Sequence, residues 1–282
     1  MKFKLETAEL FVPDGLAAGP ALARTTHMAI AAHQDDIEIM SAEPILTCFQ
    51  RQDKWFSGVV VTDGRGSPRD DIYKDFTNEE MHTVRFKEQR KAAYIGEYAV
   101  QAMLDYPSKA IKDGADKRAT EDIAMLIGAA GPEIVYTHNL ADKHDTHVGV
   151  ALRTIAAIRS LPEGQRPKHL YACEVWRDLD WMTDADKVAF NVSGHENVQA
   201  ALLGVFDSQI CGGKRYDLST MGRRKANATY FASHGVDTAS GLNFGMDMTP
   251  LITDPEMNVE SYIQGYIRRF ENEVADRLKR LG

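Results

Sequence analysis

Short apolar runs alternate along the chain with longer stretches in which apolar residues recur every three or four positions. That alternation predicts strands followed by helices. Met28–Ala32 reads as a short buried strand, Ile37–Phe49 as the helix after it, and Trp55–Val61 as the next strand. Glu79–Tyr98 has helical composition, with Glu88 and residues 90–93 read as the helix surface and its buried edge. A third strand is expected over Val100–Leu104, then a helix over Glu121–Ala130, a strand over Ile134–Thr137, a helix over Thr146–Ile158 and a strand over His169–Val175. Repeated β-then-α units predict an α/β, three-layer, Rossmann-like fold with a mainly parallel sheet and right-handed crossovers. Ligands then gather at the C-terminal ends of the strands. Beyond Trp176 the pattern is mixed, with helices expected at Asn197–Phe206, Met221–Ala232 and Glu260–Leu281 around glycine-rich connections. No repeat or long linker divides the chain, so the expectation is one domain over residues 1–282, with residues 177–282 forming a C-terminal cap.

Composition narrows the function classes. With 282 residues and 44% hydrophobic content, one large core is feasible. A formal charge of -8 argues against nucleic acid as a partner, because no basic patch would displace its counterions. No apolar stretch approaches the length of a membrane span. The first residues, Met1 to Arg24, mix charges with Pro13 and Gly15 and lack a signal-peptide pattern. Cys48, Cys173 and Cys211 are odd in number and far apart, which points to buried thiols in a reducing cytoplasm rather than to a disulfide framework.

Two polar clusters sit at expected strand exits. The first is Ala32-His33-Gln34-Asp35-Asp36, where the first strand should end and the first helix begin. Zn2+ favours imidazole nitrogen and carboxylate oxygen, and a catalytic site keeps one position open for water. His33 and Asp36 could supply two ligands from one turn; either Asp35 or Asp36 could instead simply cap the helix. The second cluster is His144-Asp145-Thr146-His147, after the Ile134–Thr137 strand. If a parallel sheet brings the two exits together, His147 completes a two-histidine, one-carboxylate set with His33 and Asp36.

These segments resemble the PIG-L/LmbE family of deacetylases, whose first signature runs Ala-His-Pro-Asp-Asp followed closely by Glu; here it reads Ala32-His33-Gln34-Asp35-Asp36-Ile37-Glu38. The resemblance continues through Val61-Thr62-Asp63-Gly64, Arg85, Glu88, Ala92-Ala93, Ile95-Gly96, the His144–His147 segment and Ser208-Gln209, covering roughly residues 28 to 210. It implies a zinc-dependent hydrolase that removes an acetyl group from an N-acetylated amino sugar or a related small conjugate. The resemblance implies N-acetylglucosaminyl compounds as substrates, including small glycosides or thiol conjugates related to those of the mycothiol and bacillithiol pathways. Position by position, it makes His33, Asp36 and His147 the metal ligands, Asp35 the general base and His144 the second catalytic group. It also implies a small acetylated amino sugar or glycoconjugate as partner, and self-association of the kind common in the family. Three departures stand out. Gln34 replaces the usual Pro, the family's His-Pro-Asp-His has become His144-Asp145-Thr146-His147, and Tyr106-Pro107-Ser108 lacks the Asp often found there.

Further residues near these motifs carry weaker expectations. Asp63 follows the second strand and contacts substrate or satisfies a tight turn. Arg65 is the better of two candidates, with Arg69, for hydrogen-bonding a substrate. Trp176 and Arg177, followed by Trp181, offer an aromatic face for a sugar ring, or a lid packed on the core. His138 is expected to orient a ligand rather than bind metal, and the Gly212-Gly213-Lys214-Arg215 run to be a loop shaping the pocket. Two other readings stay open: a ferrous-iron oxygenase, since the same triad suits iron, and a catalytically impaired metal-containing carbohydrate-binding protein.

Overall fold

Alternate residues of one strand, His27–Ala31, feed opposite sides of a sheet: Met28 and Ile30 join one buried hydrophobic cluster, Ala29 and Ala31 the other. Burial on both faces is why this strand reads as a continuous apolar run instead of an alternating one. The computed structural model describes residues 1–282. Its strands are β1 (Glu9–Phe11), β2 (His27–Ala31), β3 (Phe56–Thr62), β4 (Val100–Tyr106), β5 (Ile134–His138), β6 (His169–Cys173), β7 (Lys187–Asn191) and β8 (Leu242–Asp247). They form one eight-stranded sheet in the order β1-β4-β3-β2-β5-β6-β8-β7. The five strands from β4 to β6 in that order run parallel, and β1, β8 and β7 are added antiparallel at the edges.

The chain steps outward from β2 to β3 and β4, then returns to place β5 on the other side of β2. A crevice opens where the winding reverses, outside the C-terminal ends of β2 and β5, and this is where ligands bind such sheets. Helices Arg118–Ala130 and Asp145–Ser160 pack on one face, and helices Asp36–Met40, Ala42–Cys48, Asn78–Ile95 and Glu196–Gly204 on the other. The result is a three-layer α/β, Rossmann-like arrangement. No helix is long and apolar enough to cross a membrane.

Several boundaries differ from the expectation for physical reasons. The single helix expected over Ile37–Phe49 is two, Asp36–Met40 and Ala42–Cys48, meeting at Ser41. Pro44 has no N–H for the Met40 carbonyl and its ring would collide with it, so the helix restarts with proline inside its first turn. Glu88, expected on a helix surface, is buried, because the inward stripe of helix Asn78–Ile95 includes Arg85, Glu88 and Gln89 as well as apolar residues. The C-terminal third does more than cover the sheet: β7 and β8 extend it beyond β6.

Candidate metal and catalytic site

The chain leaves β2 through Ala32 and turns sharply at Asp35, which holds φ 91°. This is a strained conformation for a residue with a Cβ, costing on the order of 1–3 kcal/mol, and persists only where neighbours hold it. They do so from several directions. The Asp35 N–H donates to Gln89 Oε1 at 3.3 Å, and Arg85 donates both to the Gln34 carbonyl and to Asp35 Oδ2, the latter at 3.2 Å. Gln34, where the related motif has proline, donates its Nε2 to the Thr62 carbonyl at 3.1 Å. Gly64, at φ 68°, makes room for that side chain, since a Cβ there would lie 2.4 Å from Gln34 Oε1.

The turn presents His33 and Asp36 to His147, which lies in the first turn of helix Asp145–Ser160. Asp36 Oδ2 is 3.1 Å from His33 Nδ1 and 3.2 Å from His147 Nε2, and the two imidazole nitrogens are 3.2 Å apart. Donors bound to tetrahedral zinc at about 2.0–2.1 Å stand about 3.3 Å from one another. The three atoms therefore form one face of a tetrahedron of the right size for zinc, and the donor set is the N/O type that the ion takes. Two overlapping groups of potential ligands occur here, His33 with His144 and His147, and Asp36 with His138 and His147. His138 is the weaker donor, because its Nε2 already accepts the Ala32 N–H at 2.8 Å and lies 3.6 Å from Asp36 Oδ2. Its ring stacks on His147 at 3.9 Å, propping the imidazole from behind.

Electrostatics follow from this crowding. Burial drives Asp35 up to about 7; Arg85 opposes the rise and Asp36 adds to it. Burial would raise Asp36 as well, but His147 and His33 beside it reverse the sign and hold it well below the usual carboxylate range. Burial, reinforced by the charges of His147 and His33, brings His144 down to about 4, which leaves it neutral near pH 7. His144 thus faces the cavity as a neutral hydrogen-bonding group rather than an imidazolium, and its buried Nδ1 has no partner in the protein.

A cavity of about 390 Å³ opens above these groups. His33, Asp35, Asp36, Asp63, His144 and Trp176 line it, while His147 is fully buried beneath. Arg65 and Arg177 do not line it. The Arg65 guanidinium is held by Glu79 at 3.1 Å, Asp105 at 3.0 Å and Asp63 at 3.3 Å, so its accessible role is to fix Asp63. Arg69 is engaged by the Arg65 carbonyl and Asn78, Arg177 points to solvent, and Trp181 packs against the core.

Four features escape a sequence-level reading. Asp142 Oδ2 lies 3.3 Å from His147 Nδ1, and its Oδ1 accepts the His144 N–H at 3.0 Å. Behind Asp35, Arg85 reaches Glu88 at 3.7 Å, and Glu88 in turn accepts both the N–H and the hydroxyl of Ser208 at 2.7 Å. That chain ties Asp35 to the C-terminal region. Lys112 reaches the cavity from a segment with no motif, whereas Lys214, in the glycine-rich run expected to shape the pocket, lines it 5.0 Å from the Trp176 ring. Tyr216 packs edge-on against Trp176 at 6.1 Å. The only available signal was the acidic residue five positions before His147, a spacing that places a carboxylate behind the imidazole once a helix starts at Asp145.

Residues 28–158 match the model of the PIG-L family, described as GlcNAc-PI de-N-acetylase. No curated protein matches the chain significantly. Among solved structures, the N,N'-diacetylchitobiose deacetylase from Pyrococcus horikoshii is 14% identical, with a TM-score of 0.62 over 84% of this chain and 88% of its own. GalB, the 4-carboxy-2-hydroxymuconate hydratase from Pseudomonas putida KT2440, is 15% identical, with a TM-score of 0.61 over 79% of this chain and 96% of its own. The zinc-inhibited form of teicoplanin deacetylase Orf2 is 12% identical, with a TM-score of 0.55 over 79% and 97% of the two chains. At these identities the likeness establishes the shared fold.

Proposed function

We propose that the protein, whose residues 28–158 match the PIG-L family model, removes the acetyl group from an N-acetylated amino sugar or a small conjugate of one, with zinc as its metal. The observation that carries this reading is the 3.1–3.2 Å triangle of His33 Nδ1, Asp36 Oδ2 and His147 Nε2, with the Asp35 carboxylate in the same cavity. When bound there, zinc supplies a Lewis acid that acidifies water and polarises a carbonyl.

The protein's own groups do the rest. Asp35, poised near 7 and fixed by Arg85, is the base that takes a proton from the attacking water and returns it to the leaving amine. His144, neutral and edge-on to His33 at 5.0 Å between ring centroids, donates a hydrogen bond to the carbonyl oxygen as negative charge develops on it. Asp142 holds the His147 ring in place by accepting from Nδ1, leaving Nε2 free to face the ion. Asp63, locked by Arg65, and Trp176, between Lys143 and Lys214, are the groups that orient a sugar. Residues 177–282 act as the cap in this scheme, walling the cleft with Gln209, Lys214 and Tyr216. The three free cysteines suit a reducing compartment, so we place the reaction in the cytoplasm.

The deciding experiment incubates zinc-loaded protein with a panel of N-acetylated amino sugars and measures free amine and acetate together. Equal release of both supports the proposal. Oxygen consumption without acetate would support an iron oxygenase; hydration of an unsaturated hydroxy acid without amine release would support chemistry like that of the hydratase; sugar binding without turnover would support a binding protein.

A further inference from the structure

Behind the wall formed by Trp176 and Tyr216 lies a second chamber of about 210 Å³, lined by Ile39, Val175, Thr220 and Arg223 together with Ser219 and the Asp36 side chain. We propose that this chamber is the acyl subsite, a binding site for short acyl groups larger than acetyl and for the carboxylate that hydrolysis leaves. The inference rests on the amide-hydrolase reading above and names the acyl half of its substrate.

Three observations lead to it. First, the two chambers meet at the reacting centre, because Asp36, Trp176 and Tyr216 line both. An amide whose carbonyl sits there must send its amine side one way and its acyl side the other.

Second, the chambers differ in chemistry. Trp176 and Tyr216 are the hydrophobic residues of the larger cavity, which is otherwise lined by polar and charged groups suited to hydroxyls. Ile39 and Val175 add hydrocarbon only beyond that wall. An acyl chain gains from burial on hydrocarbon, whereas sugar hydroxyls need hydrogen-bonding partners.

Third, the space is too large for a methyl group. An engineered cavity of roughly 150 Å³ accommodates the six carbons of benzene. A chamber of about 210 Å³ therefore has room for a chain of several carbons.

A cation in the chamber lining suits the departing product. Hydrolysis breaks the C–N bond and places the water oxygen on the acyl carbon, leaving a carboxylate while both water protons depart on the amine as an ammonium. Arg223 lines this chamber, held by a hydrogen bond from Nη1 to the Val175 carbonyl at 2.6 Å, and its guanidinium offers the carboxylate a cation. Ser219 is exposed, so the chamber has its own opening to solvent.

The test compares kcat/KM for N-acetyl-, N-propionyl- and N-butyryl-glucosamine, using zinc-loaded wild type, Ser219→Trp and Thr220→Leu, with isothermal titration of acetate and butyrate as a second readout. Ser219→Trp narrows the chamber from an exposed helix position; Thr220→Leu fills it from within should the tryptophan perturb folding. The expected result is a rise of about fourfold per added methylene in the wild type, tighter binding of butyrate than acetate, and a fall of at least tenfold in the butyryl-to-acetyl ratio in either variant. Acetyl turnover without butyryl turnover, or a ratio unchanged in both variants, overturns the subsite while leaving the hydrolase intact. Absence of amine release from every compound, the acetyl one included, overturns the hydrolase reading itself.

Discussion

Asp142 Oδ2 stands 3.3 Å from His147 Nδ1, on the far side of the ring from the nitrogen that faces His33 and Asp36. A carboxylate in that place fixes the tautomer and orientation of a metal-binding imidazole and raises its basicity. Asp142→Ala should therefore weaken zinc binding about 10- to 100-fold, measured by competition with a chromophoric chelator. Affinity equal to wild type would show that His147 needs no such support.

Asp35→Asn separates metal binding from catalysis. The amide keeps the shape of the side chain but cannot accept a proton, so zinc stoichiometry should hold while kcat falls on the order of 10²- to 10⁴-fold. Wild-type turnover with zinc in place would remove Asp35 from the role of base.

Arg85 carries a structural prediction. It is about 1% exposed and stands between the carboxylates of Asp35 and Glu88. Arg85→Met would leave both acids buried without their cation, a change that costs about 3–5 kcal/mol. Urea denaturation should show that loss, and a difference within 1 kcal/mol would mean that the acids find other compensation.

The legibility of this site in the sequence tracks how local each interaction is. His33, Asp35 and Asp36 stand within one turn after an apolar strand, so their grouping could be read directly. His147 joined them only through the reversal of strand order that sets β5 beside β2. Arg65 illustrates the opposite case: its charge suggested substrate contact, yet Glu79 and Asp105, distant in sequence, engage it. Lys214 lies in the glycine-rich run expected to shape the pocket and does line the cavity, whereas Tyr216 opens a helix without motif. β7 and β8 were missed because they lie in a stretch of mixed composition, where strand pairing rather than local pattern decides the structure. The break at Ser41 was missed, although Pro44 forbids the continuous helix expected over Ile37–Phe49.

His27 should make stability depend on pH. It lies in β2, nearly buried, and burial brings it down to about 4, with Lys54 adding to the shift and Glu133 opposing it. Unfolded histidine titrates near 6.5, so between roughly pH 6.5 and 4 the unfolded chain binds the proton first and folding is penalised as pH falls. The full effect is about 3 kcal/mol. Unfolding free energies of wild type and His27→Gln, followed from pH 7.5 to 4, should show the wild type losing ground relative to the variant. A gap that stays constant would contradict the shift.

The proposed chemistry depends on one cation held by three side chains. Crystals of zinc-loaded protein, measured on both sides of the zinc absorption edge, locate that ion directly by its anomalous scattering. The expected result is a single strong peak bonded to His33 Nδ1, Asp36 Oδ2 and His147 Nε2, absent in His147→Ala; a fully occupied peak elsewhere, or one that persists unchanged in the variant, would contradict it.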